Sequence, residues 1–207
     1  MAVCALALTT AMTAAGCGAA QPAADVRPET APLPTAGLAG RKVTVYPLTL
    51  LASDDRLGWR DALTPHRGAL ARADSLIGAA LTERSPEVEW VLPDVLRRAH
   101  RQAPAMLPEP DHIGTALLRA RDLAKVPDPL RSQMRALTGV AGDRYALVPA
   151  ALVFRHADGG GGRAELTLVL TDVRLGQVGW RNVAEGEGQD PWSALEAALK
   201  TLAPGLP

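Results

Sequence analysis

From Arg144 onward the chain is patterned as a sheet, and this stretch constrains the fold more than any other. Residues 144–154 (RYALVPAALVF) are a long apolar run rich in strand formers. Pro149 within it implies a bulge or a place at the sheet edge, because proline has no N–H to give to a ladder. Gly159, Gly160, Gly161 and Gly162 then make a flexible loop. In residues 163–173, Leu166, Leu168 and Leu170 alternate with Thr167, Val169 and Thr171, the period-two signature of a two-faced strand. A tight turn at residues 174–176 reverses into residues 177–185, so the three strands form an antiparallel meander. Asp190 is placed to cap a closing helix, Pro191 suits its first position, and Trp192, Leu195, Leu199 and Leu202 mark its buried stripe.

The preceding hundred or so residues alternate between strand and helix signals. Residues 42–51 (KVTVYPLTLL) predict the first strand. Across residues 67–84, Leu70, Ala73, Leu76, Ile77, Ala80 and Leu81 recur at helical spacing. Residues 87–92 (EVEWVL) predict a short strand, and Pro93 with Asp94 opens a helix carrying Val95, Leu96 and Ala99. After breaks at Pro104, Pro108 and Pro110, helices are predicted over residues 111–124 and 128–138, with Asp111 and Asp128 as N-caps. Residues 41–207 thus read as one α/β (α+β) domain of three layers. It has a mixed sheet of about five strands, a carboxy-terminal meander and flanking helices. At 47% hydrophobic and 21% charged such a domain builds a proper core, and 22 basic against 22 acidic residues leave no electrostatic footprint for nucleic acid.

Ahead of the domain lies an address. Residues 1–16 are almost all small or apolar, are too short for the roughly 20 residues that cross a bilayer, and end on small residues as a signal peptide does. Ala15, Gly16 and Cys17 resemble the bacterial lipoprotein processing site. Ala14 stands where that pattern has Leu, and no Lys or Arg precedes the apolar stretch, which a start codon assigned too far downstream explains. The alternative is an ordinary cleaved secretory peptide with a chance Cys. Cys4 leaves with the signal peptide, so the mature chain keeps Cys17 alone and can form no internal disulfide and no Cys-ligated zinc or iron–sulfur site. Acylation of Cys17, with palmitate or similar chains, gives that lone thiol a role and ties the protein to a membrane. Each buried methylene contributes about 0.8 kcal/mol, and two or more chains make the anchor stable. Residues 17–40 carry Pro22, Pro28, Pro32 and Pro34 among Ala, Thr and Gly and read as a linker, semi-extended at up to about 3.1 Å per residue. Gly18 follows the Cys where an Asp would signal inner-membrane retention in the lipoproteins this resembles. The expectation is an outer-membrane anchor facing the periplasm, with the inner membrane as the alternative.

Two local patterns add a family resemblance. Gly142, Asp143, Arg144 and Tyr145 lead into an apolar strand, and Asp172, Val173, Arg174, Leu175, Gly176, Gln177, Val178, Gly179 and Trp180 form a hairpin. Both resemble motifs of the envelope lipoprotein domains related to the curli-secretion lipoprotein and the TolB amino-terminal domain, with Leu175 where Thr or Ser is usual. The resemblance implies an α/β envelope domain, and its motifs speak to the fold rather than to a task. The residues themselves imply a structural role: Gly176 takes the turn's positive φ, Asp172 bonds turn amides, and Trp180 pins its strand to a neighbouring helix. No alternating segments of about ten residues precede the meander, so no transmembrane hairpins and no pore are expected.

Catalytic signatures are sparse. There is no Gly-x-Ser-x-Gly, no His-Glu-x-x-His and no Gly-Lys-Ser/Thr loop. Asp74, Ser75 and Leu76 echo a GDSL hydrolase signature but fall inside the first amphipathic helix rather than on a turn. His66, His100, His112 and His156 lie on separate elements without i, i+4 pairing, so no metal and no cofactor is expected. Asp54 and Asp55 follow the first strand, where α/β folds often bind ligands; with His66 or His112 they make the weaker alternative, a small-ligand or hydrolytic site. Gly186 and Gly188 precede the last helix, but Glu185, Glu187 and Asp190 already serve its positive end and repel phosphate. Arg97, Arg98, Arg101, Arg119, Arg121, Lys125, Arg131 and Arg135 read as a solvated face, or a dock for an acidic partner. The expectation is a non-enzymatic, lipid-anchored envelope protein that binds a protein partner in envelope assembly, secretion or cell-wall enzyme regulation; a homo-oligomer is left open.

Overall fold

The structure, a computed structural model, describes residues 33–157 and 160–202. Cys17, the signal segment, most of the linker, and Gly159 of the glycine loop lie outside the described residues. The described chain forms a six-stranded mixed sheet: β1 (Lys42–Val45), β2 (Leu51–Ser53), β3 (Glu89–Val91), β4 (Tyr145–His156), β5 (Gly162–Asp172) and β6 (Gln177–Gly188). Its order is β3-β1-β4-β5-β6, with β2 lying on β4 beyond the end of β1. β1 is parallel to β3 and β4, β2 is parallel to β4, and β4, β5 and β6 are the antiparallel meander. Four helices flank it: α1 (His66–Arg84), α2 (Pro93–Gln102), α3 (Leu130–Ala141) and α4 (Pro191–Leu202).

The sheet has a core on each face, which makes three layers. Leu147, Leu152 and Phe154 of β4 join Leu166 and Leu168 of β5 beneath α1 and α4. Ala146, Val148 and Ala150 join Val169 on the opposite face, under Leu96 of α2 and Met134 and Leu137 of α3. Leu147 and Leu152 differ by an odd number of residues yet share a face, because β4 bulges between Pro149 and Ala151 and slips one residue. The bulge at Pro149 is therefore present, but the strand is central rather than at an edge. Pro149 is tolerated there because β1 last pairs at Leu147 and β2 first pairs at Leu152, leaving no neighbour on that flank to ask for its N–H.

Three other expectations change. The single strand over residues 42–51 is split into β1 and β2 around Pro47; Tyr46 N–H still reaches Leu147 O and Leu152 N–H reaches Leu50 O, both at 2.9 Å. The helix over residues 111–124 is absent, replaced by single 3₁₀ turns at Pro110–His112 and Thr115–Arg119. Its carbonyls serve a distant group: the buried Arg181 guanidinium on β6 donates to Leu118 O, Arg121 O and Leu123 O at 3.0–3.2 Å. Asp111 is accordingly no N-cap and accepts from Arg97 instead. Asp128 is no N-cap either: α3 starts at Leu130 with Pro129 in the cap position, and the Asp128 carboxylate accepts only the Ser132 hydroxyl, at 3.1 Å, leaving the first backbone N–H groups uncapped by a side chain.

α1, α2 and α4 form close to their predicted ranges. Asp190 Oδ1 caps α4 by accepting the Trp192 and Ser193 N–H groups. Residues 33–40, read as linker from sequence, belong to the fold: Leu33 and Leu38 are buried, Leu33 N–H bonds Leu202 O, and Gly40 N–H bonds Glu87 O.

Candidate functional site

The chain enters the described fold at one end of the sheet. Leu33 sits against the carboxy-terminal end of α4, and β1 and β4 start there. β4 then runs twelve residues, roughly 36 Å at about 3.3 Å per residue, to the opposite end. There β2 finishes, β5 begins, β6 ends, and α1 and α4 start.

At this far end lies a cavity of about 410 Å³. It is lined by Leu51, Ala52 and Ser53 of β2, by Trp59 and Leu63 of the turns that follow, and by His66 of α1, with Asp54 and the exposed Asp55 at the rim. Three of the four acid and imidazole groups named from sequence therefore come together. His112 does not: it stands in the turn after α2, 2.9 Å from Glu109.

The chemistry of this rim is ion pairing. Asp54 Oδ1 accepts the Arg56 N–H at 3.0 Å, and its Oδ2 takes the Arg56 guanidinium at 2.6 Å. The Arg56 hydrogen bonds hold its carboxyl down at about 2, so it neither gives nor takes a proton near neutral pH. Asp55 meets Arg60 at 3.4 Å, with both side chains exposed. No hydrogen bond links His66 to Ser53, Asp54 or Asp55, so a nucleophile–base pair is not assembled in the described residues.

Trp59 shapes the cavity and was not read from the sequence. Its ring meets Phe154 edge-on, with centroids 5.5 Å apart at 76°. Gly162 makes room for it, since a Cβ there would stand 2.9 Å from both Trp59 Cζ2 and Leu57 Cδ2. A lone aromatic in the Asp- and Arg-rich loop between β2 and α1 was the available signal.

Elsewhere the flagged residues serve the scaffold. Asp172 accepts the Leu175 N–H at 2.9 Å and the Arg144 guanidinium at 2.6 Å; its partial burial opposes ionisation, but these partners outweigh it and hold the carboxyl below the usual range. Gly176 adopts φ +70° with Arg131 packed against it, and the half-buried Trp180 lies opposite Leu170 on the α1 and α4 side of the sheet. Asp74 is buried in α1, accepting the Leu48 N–H at 2.8 Å and the Arg97 guanidinium at 2.5 Å, while Arg97 also bonds Asp111 and Asp94. Burial pushes its carboxyl up to about 6 against the pull of those donors. Ser75 merely donates to Ala71 O within the helix, so the GDSL echo is a brace between α1 and α2. Gly186 and Gly188 are explained by α4: a Cβ on either would run into that helix's backbone. Among the described residues no group of three or more His, Cys, Asp or Glu is placed to hold a metal, and no helix is long and apolar enough to cross a membrane.

No family model and no curated protein matches the chain. Similar solved structures include the LpoB C-terminal domain from Salmonella enterica, with TM-score 0.39 and 17% identity over 72% of this chain and 84% of that one. A PelC dodecamer from Paraburkholderia phytofirmans superposes with TM-score 0.39 and 18% identity, covering 80% and 88%. The lipoprotein GNA1162 from Neisseria meningitidis gives 0.36 and 16%, covering 72% and 81%. At this level of similarity the functional reading has to rest on the chain's own residues.

Proposed function

We propose that this protein is a lipid-anchored, non-enzymatic component of the bacterial envelope, whose domain is held off an outer membrane by Cys17 and presents its far end to a protein partner. The observation that carries the reading is polarity: the segment leading from Cys17 enters the fold at Leu33, while the exposed cavity opens roughly 36 Å away at the other end of β4. The fifteen residues between Cys17 and Leu33, read from their prolines as a semi-extended linker, would reach about 47 Å at about 3.1 Å per residue. A domain so oriented keeps its bracing clusters inside and its open end away from the membrane. The alternative, a hydrolytic or small-ligand site, draws on the meeting of Asp54, Asp55 and His66 at one cavity. It is the weaker reading because Asp54 is committed to Arg56 and His66 has no nucleophile to activate. Purification of the tagged full chain from detergent-solubilised envelopes tests the proposal. A stoichiometric partner whose recovery falls when Trp59 is changed to Ala is the expected result, and recovery of no partner would overturn it.

A further inference from the structure

The cavity wall formed by β2 is an open sheet edge. In a parallel ladder the N–H and C=O of one residue point to the same neighbour, so alternate residues serve alternate sides. Leu50 O accepts from Leu152 and Asp54 N–H donates to Phe154 O, which assigns the even positions to β4 and turns Leu51 and Ser53 the other way. No backbone partner for the N–H or C=O of Leu51 or Ser53 occurs among the described residues, and both line the cavity. Native edges are commonly short, covered or guarded by charge, since unpaired rows of donors and acceptors invite another strand. This one is short, and charged pairs stand only at its end.

We propose that this edge captures an extended segment of the partner by strand addition, an inference that rests on the partner-binding reading above and specifies its chemistry. The occupant is a short extended peptide of the partner, because the unpaired N–H and C=O groups of Leu51 and Ser53 call for a backbone, and the cavity they line with Trp59 and Leu63, about 410 Å³, holds a short segment and not the sheet of a second folded copy. Its sequence pattern follows from the two faces. Toward α1 an incoming strand meets Leu51, Trp59 and Leu63, which belong to the core cluster on that face. Toward the other face it lies beside exposed Ala52 and solvent. The preferred segment therefore carries apolar side chains at every second position, with backbone hydrogen bonds giving affinity and the apolar wall giving register.

The probe is a library of random short peptides displayed on phage and selected on the full chain in detergent. The selected peptides are expected to show alternating apolar positions and to slow hydrogen exchange at the Leu51 and Ser53 amides, which exchange freely without peptide. Ser53→Pro removes one outward donor and leaves the bonds to β4 intact, so it should weaken peptide binding about five- to tenfold with little change in melting temperature. Ala52→Pro deletes an inward bond and should destabilise the fold itself. Selected peptides that leave the Leu51 and Ser53 amides unprotected, or a selection that yields no binder, overturn strand addition. Either failure is separate from that of the envelope reading, which falls only if no partner is recovered from membranes.

Discussion

Gly186→Ala is expected to be among the most damaging single-methyl additions in this protein. A Cβ at Gly186 would stand 2.5 Å from Ala197 C and 2.7 Å from Ala194 O, both backbone atoms of α4. Ordinary contact begins near 3.4 Å and Ala198 N lies closer still, so the helix would have to retreat by more than an ångström. α4 cannot yield cheaply, since Trp192, Leu195, Ala198, Leu199 and Leu202 are all buried beneath it. Overpacking costs about 1–3 kcal/mol where side chains can adjust, and a backbone clash belongs at the upper end. A loss of about 3 kcal/mol in a domain of this size lowers the melting temperature by about 6–12 °C. Gly179→Ala on the same strand is the control: its Cβ would meet nothing closer than Leu170 O at 3.8 Å. That variant should match the parent or gain a few tenths of a kcal/mol from a stiffer unfolded chain. The assay is urea unfolding followed by circular dichroism, with m held constant across the three proteins. If Gly186→Ala unfolds within about 0.5 kcal/mol of the parent, the close approach of α4 to β6 is not what fixes this glycine.

Two further outcomes are expected. Cys17→Ser should move the protein from the membrane to the soluble fraction of the envelope, and an equally membrane-bound variant would show that acylation is not the anchor. Asp74 gives a pH signature: its carboxyl, raised to about 6 by burial, binds protons in the fold that the unfolded chain has already released. Stability should therefore fall as pH rises from about 4 to 6, by about 2 of the roughly 3 kcal/mol that a shift of this size carries in full, and level off above about pH 7. Asp74→Asn should flatten that slope, and identical slopes in denaturant titrations at pH 4, 5 and 6 would refute the assignment.

What the sequence made legible was local and periodic. The alternation around Leu166, Leu168 and Leu170 fixes β5, the spacing of Ala73, Ile77 and Leu81 marks α1, and Asp190 before Pro191 marks the start of α4. What it hid was action at a distance. Residues 111–124 look helical alone, but Arg181, about sixty positions on, takes three of their carbonyls. Why positions 186 and 188 are glycine is equally hidden, since only α4 packed against them shows that no Cβ fits. The cavity was half legible: Asp54, Asp55 and His66 share a rim, while His112 lies elsewhere, and Trp59 gains its place only through Gly162 and Phe154. The open edge of β2 could not be read at all, because it depends on Pro47 splitting one apparent strand into two.

The deciding property of the protein is which end of its domain meets another protein. A photo-crosslinking residue placed at Asp55, on the exposed rim of the cavity, should yield a discrete crosslinked product in intact envelopes. The same residue at Glu87, exposed at the end where Leu33 enters, should yield none. Crosslinking confined to position 87, or equal at both, would contradict a far end presented to a partner.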